Sequence, residues 1–258
     1  MDVATLIQEL GSTPSATARA TGLSRMTVQR VRDGVTSPTL STLREFALAA
    51  GLDLDLSLVP ASDPASAVAA RVIADPATPD LTELHDWDIL AQDSGAQAVI
   101  DWVARLTRQI ETQDQLLPLA GRYAAPQHRT GARFFAPKVG VTQDRIIDVA
   151  SSAIAPLGGA LSGVAAARAY LGHAPDPGPV IAWAPDVDAA AERLAVTLVE
   201  MREYQAAGVM VAPTMQAYLI DMLTPPTVRH PVVAPIQAAL DLYGLGYDAL
   251  ADEITAGW

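Results

Sequence analysis

Hydrophobic residues in the first sixty positions recur at helical spacing, and glycine or proline interrupts the pattern at short intervals. The pattern predicts four short helices, over residues 3–10, 14–21, 25–32 and 39–50. Thr13 and Ser24 precede the second and third helices as hydroxyl N-caps, and Pro14 suits a first helical position. Residues 53–59 then alternate strictly between polar and apolar side chains, which is typical of a half-buried β-strand.

The rest of the chain mixes helices with short strands. An amphipathic helix is expected over residues 94–111. Two apolar runs, 180–183 and 209–211, are expected to be strands on either side of a helix that Asp186 caps and that continues through Met201. This strand–helix–strand order indicates a βαβ unit or an α+β sheet. A last pair of helices is expected to begin at Pro235.

Composition divides the chain unevenly. The net charge is −12 over 258 residues, but residues 1–60 hold five Arg against six acidic residues, so −11 belongs to the remainder. Residues 60–64, Pro-Ala-Ser-Asp-Pro, indicate the start of a linker. We therefore expect a domain at 1–60, a linker at 61–79 and a domain at 80–258. The acidity excludes a basic nucleic-acid-coating protein, but not a compact reader with positive charge on one face.

Residues 13–34 have the spacing of a helix-turn-helix motif. Ala18 lets two helices approach, Gly22 permits the tight turn, and Leu23 fills the core behind it. With the helix that follows, residues 1 to about 59 resemble the Cro/cI-like (XRE) family of transcriptional regulators. The fold class implied is α+β: an N-terminal all-α helix-turn-helix domain with a trailing strand, then a larger mixed α/β domain.

The chain departs from that family at Thr17 and Thr21, where the family usually has leucine. These positions are expected to pack less apolar surface, which lowers the stability of the domain.

The resemblance implies that the second helix of the motif enters the major groove of DNA by its N-terminal residues. Arg25 then suits guanine O6 and N7, and Gln29 suits adenine N6 and N7. The alternative is that these side chains are ordinary solvated helix residues. The expected DNA-binding residues are Arg19, Ser24, Arg25, Met26, Thr27, Gln29, Arg30 and Arg32.

The alternating residues 53–59 have three interpretations. Asp53 and Asp55 share one strand face and form a conceivable Asp-x-Asp metal site. The strand can instead cover its own domain. It also resembles the strand by which HipB-like antitoxins pair with a second copy, which implies a homodimer.

Few residues in the second domain suggest catalysis. The chain has no Cys and one Lys, Lys138, and its four His do not lie three or four residues apart. The glycine-rich residues 158–163 lack a dinucleotide-binding spacing and indicate a loop in which Ser162 caps a helix. We expect no enzyme activity, cofactor or metal. The start lacks a signal-peptide pattern and no apolar run spans a membrane, so we expect a cytoplasmic protein.

Residues 160–172 and 233–243 resemble segments of AbiEi-type antitoxins of type IV toxin–antitoxin pairs. That family usually begins with a winged helix, unlike this chain. The resemblance implies a repressor that binds double-stranded operator DNA, autoregulates its operon and neutralises a nucleotidyltransferase-like toxin. The alternative is a ligand-responsive regulator whose second domain binds a small molecule.

Overall fold

The computed structural model describes residues 13–74, 96–219, 222–225 and 228–256. The chain divides into two compact units, Met1–Val59 and Pro60–Trp258. Helices and a five-stranded mixed sheet make it an α+β protein, as the sequence predicts. The helix expected over residues 3–10 lies outside the described residues.

Three helices of the first unit confirm the predicted pattern: α1 Pro14–Thr21, α2 Arg25–Arg32 and α3 Leu40–Ala49. Before each helix a hydroxyl accepts a hydrogen bond from a backbone N–H of the first turn; the caps are Thr13, Ser24 and Thr39. Since these N–H groups have no partner within the helix, the caps determine where each helix begins. Gly22 ends α1 at φ +70°, a conformation that glycine adopts without steric cost.

The described residues of the first unit share one core. The buried apolar residues among them are Ala18, Val28, Val31, Phe46 and Ala47. Thr17 and Thr21 are buried beside them, as expected from their positions. Thr21 Oγ1 donates to the carbonyl oxygen of Thr17 at 2.8 Å, so its hydroxyl is satisfied inside the core. Two positions of this core therefore hold hydroxyl groups where larger apolar side chains would bury more surface.

The trailing strand predicted at residues 53–59 is wrong for the single chain. Residues 52–63 form neither helix nor strand. A strand needs a neighbour to receive its backbone hydrogen bonds, and no strand occurs among the described residues of the first unit. The side chains of Leu56, Leu58 and Val59 are 65%, 104% and 78% exposed. Leu54 is half-buried against the core of the first unit, but the rest of the predicted apolar face is exposed.

The predicted linker at residues 61–79 is also wrong in part, because α4 spans Pro64–Ala74. This helix is buried on nearly all sides, from Ala65 to Val72. The indole N–H of Trp102 donates to the carboxylate of Asp63 at 2.7 Å, just before the helix begins. A run of alanine and valine without a polar face has no amphipathic period. The sequence pattern therefore indicates a linker here and not a helix.

The second unit continues through helices and strands to residue 256. Its further α-helices are α5 Ala96–Gln109, α6 Leu116–Tyr123, α7 Gln143–Ile154, α8 Val164–Leu171, α9 Val187–Ala195, α10 Gln216–Leu219, α11 Pro235–Leu245 and α12 Asp248–Thr255. Its strands are β1 Arg133–Ala136, β2 Ala160–Gly163, β3 Val180–Ala184, β4 Val199–Met201 and β5 Val209–Pro213.

The sheet has the order β2-β3-β5-β1-β4. β3 and β5 are parallel neighbours, and the other neighbouring pairs are antiparallel. Because α9 lies between β3 and β5 in the chain, the predicted strand–helix–strand unit is confirmed. β3 is buried along its whole length, so the core of the second unit is built around it.

Two sequence interpretations in this unit are wrong. The glycine-rich segment is strand β2 and not a loop, and Ser162 lies within it; Gly163 stands at the N-cap of α8. Leu161 is the one large apolar residue of this strand, which gives it a weak hydrophobic signal, although all four residues are buried. The helix after Asp186 ends at Ala195 and does not reach Met201, because residues 199–201 pair with β1.

Candidate nucleic-acid interface

The turn between α1 and α2 sets the start of the predicted recognition helix. Ser24 Oγ accepts from the backbone N–H of Thr27 at 3.0 Å and lies 2.8 Å from the Thr27 hydroxyl. Val28 and Val31 face the core, with 1% and 7% of their surfaces exposed. These two contacts determine which side of α2 remains outward, because residues three apart share a helix face.

The outward side of α2 carries the residues that the sequence predicts. Of the eight expected DNA-binding residues, six are exposed and two, Thr27 and Gln29, are half-buried. Seven lie on α2 or at its cap, and Arg19 lies on α1. Met26 is 70% exposed, so its apolar side chain is available for contact with a thymine methyl group.

Three basic residues of this face, Arg19, Arg25 and Arg30, form no ion pair with any described residue. Asp33, at the C-cap of α2, is the acidic residue of the motif. Guanidinium groups that are exposed and unpaired suit phosphate or guanine, which accept their hydrogen bonds.

Gln29 is held by Asp33, a residue that the sequence analysis missed. Gln29 Nε2 lies 2.8 Å from Asp33 Oδ1 and 2.7 Å from Oδ2. The backbone N–H of Asp33 also donates to the carbonyl oxygen of Gln29 at 2.9 Å. The spacing of four residues on a helix is the signal that predicts such a pair. One N–H of the Gln29 amide thus contacts Asp33 in the absence of DNA, and the second N–H of the same nitrogen is not engaged by this carboxylate.

The Asp-x-Asp interpretation has a different outcome. Arg44 donates from Nε to Asp53 Oδ1 at 2.9 Å and from its terminal nitrogen to Oδ2 at 3.1 Å. These hydrogen bonds lower the pKa of Asp53 to about 2. Within the described residues no group of three or more potential ligands is placed to hold a metal ion. Asp53 therefore serves as the ion-pair partner of Arg44.

A buried polar cluster lies in the second unit. Asp241 accepts from Trp183 Nε1 and from Gln237 Nε2, both at 2.8 Å. Burial raises the pKa of Asp241 to about 6, against the lowering effect of its hydrogen-bond donors. Arg129 donates to the hydroxyl of Tyr218 at 2.9 Å, and its guanidinium lies 5.5 Å from the Trp183 ring centroid.

This cluster is closed to solvent. Trp183, Tyr218 and Gln237 are 0% exposed and Asp241 is 3% exposed. A substrate has no access to groups without accessible surface, so the cluster links β3, α10 and α11 within the core. The sequence did not single out these residues, because they are far apart in the chain.

An open groove of about 560 Å³ lies on the second unit, between residues 173–175 and the turn at 246–250. Its carboxylates already have partners. His173 Nε2 lies 3.1 Å from Glu253, and Arg122 lies 3.4 Å from Asp248. The arrangement offers no convergent set of free groups for chemistry.

The two segments that resemble AbiEi-type antitoxins pack against each other. The backbone N–H of Val233 donates to the carbonyl oxygen of Leu161 at 3.0 Å, and the Tyr170 hydroxyl donates to that of Val233. Most residues of both segments are buried. The resemblance therefore concerns residues that build the core, and not an exposed surface.

Comparisons of the chain with family models, curated proteins and solved structures find no match. Among the described residues, no helix has the length and apolar character needed to cross a membrane.

Proposed function

We propose that this protein is a sequence-specific DNA-binding transcriptional regulator, and that α2 is its recognition helix. The observation that carries the proposal concerns the two sides of α2. One side is anchored in the core, and the outward side carries guanidinium groups that form no ion pair with any described residue. Arg25 and Arg30 stand on that face, and Arg19 extends it onto α1. A helix of this kind presents its N-terminal residues to base edges in the major groove.

The charge distribution supports this orientation. The first unit is nearly neutral and the remainder carries −11, so phosphates attract the α2 face and repel the second unit. DNA binding of this type depends steeply on salt, because each phosphate contact releases counterions.

The test is fluorescence anisotropy on the DNA upstream of the chain's own gene, over a series of salt concentrations. Arg25→Ala is expected to weaken specific binding by roughly 5- to 150-fold, corresponding to about 1–3 kcal/mol for a guanine contact. Arg19→Ala is expected to reduce the salt slope by about one.

Arg44→Ala is the matched control, since it also removes one exposed guanidinium from the first unit. It is expected to change binding far less than Arg25→Ala. Equal effects of the two variants would show that charge alone drives binding. The absence of any salt-dependent binding by the unaltered protein would contradict the proposal.

We propose further that the regulator is a homodimer on its operator. Residues 55–59 support this, because they are exposed, their backbone has no strand partner among the described residues, and Leu58 is fully exposed. Leu58→Asp is expected to shift the sedimentation coefficient from dimer to monomer. A monomeric unaltered protein at micromolar concentration contradicts the pairing.

The finer proposal is that the regulator is an autorepressing antitoxin whose second unit binds a nucleotidyltransferase-like toxin. It rests on the resemblance of residues 160–172 and 233–243. Co-expression with the neighbouring gene product is the test. A complex that elutes together on size exclusion supports the antitoxin function, and two separate peaks contradict it.

A further inference from the structure

We propose that residues 55–59, at the C-terminal end of the first unit, are a proteolytic processing site that only the unpaired chain exposes. The agent is an endoprotease whose specificity pocket accepts a leucine side chain. The inference rests on the proposed function in one respect, because the protection comes from the pairing of this segment in the homodimer. The site itself rests on the exposure and the backbone of the segment.

The backbone of residues 55–61 is accessible to a protease. These residues belong to no helix or strand, and all of them are exposed. Their backbone groups form no hydrogen bond with any described residue. A protease binds its substrate as an extended chain, through backbone hydrogen bonds like those of an added strand. No such bond between described residues has to break before this segment is bound, so cleavage requires no unfolding.

The chain is fixed on both sides of this stretch. Leu54 packs against the core of the first unit. Further along, Ser62 Oγ donates to the carbonyl oxygen of Ala125 at 2.7 Å. The seven residues between Leu54 and Ser62 are roughly 23 Å long when extended. The fixed ends therefore confine cleavage to a stretch that is long enough to occupy the substrate cleft of an endoprotease.

Two peptide bonds in this stretch follow an exposed leucine. Leu56 and Leu58 are 65% and 104% exposed, so either side chain can enter an apolar specificity pocket. Cleavage after Leu56 gives a fragment that begins at Ser57, and cleavage after Leu58 gives one that begins at Val59. The reaction consumes one water molecule for each bond. Its oxygen completes a carboxylate on the leucine, and the nitrogen of the next residue takes both protons and becomes an ammonium group.

Another exposed loop shows why the open backbone matters. Val139 is 107% exposed and lies between β1 and α7. Its loop is closed by a turn, in which the backbone N–H of Val141 donates to the carbonyl oxygen of Lys138 at 3.2 Å. Val141 also packs against the core of the second unit. A protease would have to open this turn before it could bind, so an exposed apolar side chain is not sufficient for cleavage.

Pairing and cleavage compete for the same groups. In the proposed homodimer, residues 55–59 of two copies pair with each other, which uses the backbone N–H and C=O groups that a protease binds. The paired chain is then protected, and cleavage follows the fraction of chain that is unpaired. Because Arg25 lies on the N-terminal side of the cut, processing separates the recognition helix from the second unit. A fall in dimer concentration would thus cause an irreversible loss of the intact regulator.

The test is limited proteolysis of the full chain with chymotrypsin, which has an apolar specificity pocket, followed by mass spectrometry of the fragments. We expect fragments that begin at Ser57 and Val59 to form at least about ten times faster than cuts elsewhere in the described residues, which require local opening. The double variant Leu56→Asp with Leu58→Asp keeps the exposed backbone but offers no apolar side chain. Its cleavage is expected to be slower by about 10- to 150-fold, the equivalent of burying one leucine side chain.

Two controls separate the site from simple exposure. Val139→Leu places an exposed leucine in the closed turn between β1 and α7, and it is expected to add no cut of comparable rate. The rate constant for cleavage at residues 56–59 is expected to fall as the concentration of the unaltered protein rises through the Kd of the dimer. Hydrolysis of a short leucine reporter peptide in the same samples should stay constant.

Processing in cells is tested by recovering the second unit through a C-terminal affinity tag from the cells to which the gene belongs. Fragments that begin at Ser57 or Val59 are expected from the unaltered chain and not from the double variant. Recovery of the full-length chain alone would contradict processing.

The outcomes distinguish this inference from the homodimer on which it rests. If other described bonds are cut first, or if the double variant is cut at the same place and rate, the processing site is wrong whatever the oligomeric state. If the chain sediments as a monomer and is cut at residues 56–59 at a rate independent of concentration, the homodimer is wrong and the cleavage site stands. If the dimer is cut as fast as the monomer, pairing does not protect the segment, and the inference is wrong while the homodimer stands.

Discussion

Phe46 is the largest buried apolar side chain among the described residues of the first unit, and it is 0% exposed. Replacement of a buried phenylalanine by alanine costs about 3–5 kcal/mol, since apolar burial is lost and a cavity remains. A unit of about sixty residues has a total stability of only about 3–9 kcal/mol. We therefore expect Phe46→Ala to unfold most of the first unit.

The positions of the aromatic residues allow the unfolding of the two units to be measured separately. All four Trp and all six Tyr lie within residues 60–258, so the first unit has neither. Tryptophan fluorescence then reports only the second unit, whereas far-ultraviolet circular dichroism reports both. Phe46→Ala is expected to lose helical circular dichroism and DNA binding, with the urea midpoint of the fluorescence transition unchanged.

Leu48→Ala is the matched control, because Leu48 lies two positions further along α3 and is 46% exposed. Its cost is expected to be within about 0.5 kcal/mol. Retention of helix content and DNA binding in Phe46→Ala would refute the energetic reasoning. An equal shift of the fluorescence midpoint would refute the independence of the two units.

Three further predictions concern titration and packing. The raised pKa of Asp241 favours its protonated form in the folded state, so the free energy of unfolding should rise by about 3 kcal/mol as pH falls from above 6 to below 4. Urea titrations followed by tryptophan fluorescence should show this contribution, and Asp241→Asn should remove it. The pKa of Asp53 should rise from about 2 toward its ordinary value in Arg44→Ala, measured by carbon-13 NMR. Gly121→Ala should destabilise the second unit by at least about 2 kcal/mol, because its Cβ would lie 2.4 Å from the carbonyl oxygen of Leu240.

A control variant or a contradicting result can be stated for each of these three predictions. Gly158→Ala adds a Cβ that meets nothing within 4 Å, so its cost of about 1 kcal/mol should come only from the backbone at φ +75°. If Gly121→Ala costs no more than Gly158→Ala, the close approach of α6 and α11 is not as tight as described. If Asp241→Asn keeps the pH dependence of the unaltered protein, other groups cause it. An unchanged pKa of Asp53 in Arg44→Ala would show that Arg44 is not its cause.

The helices of the first unit were predictable because their signals are local. A hydroxyl N-cap such as Ser24 and a left-handed glycine such as Gly22 act within one turn, so no tertiary information is needed. Strand β2 was not predictable in this way. Three of the four residues at 160–163 are small, and the segment becomes a strand only by pairing with β3, residues 180–184, on one side.

The candidate interface was predicted as a set of residues but not as a set of contacts. The outward position of Arg25 and Met26 follows from the inward position of Val28 and Val31, which periodicity identifies. The spacing of four residues between Gln29 and Asp33 allows their contact, but the spacing alone does not show that the contact forms. The alternation at residues 53–59 shows the opposite case, since the pattern was clear and the described residues supply no partner strand.

The buried hydroxyls of Thr17 and Thr21 have a consequence for how the regulator would respond to its operator. A unit of about sixty residues is marginal in stability because of its size, and two threonines in the core reduce the apolar surface that it buries. A ligand that binds only the folded form stabilises it by about 2.7 kcal/mol at a concentration one hundred times its Kd. Under the proposed function, operator DNA would thus supply a substantial share of the stability of the unit that reads it. The fraction of protein whose first unit is folded would then rise with operator occupancy. Protein that is not bound to DNA would be degraded preferentially by proteases.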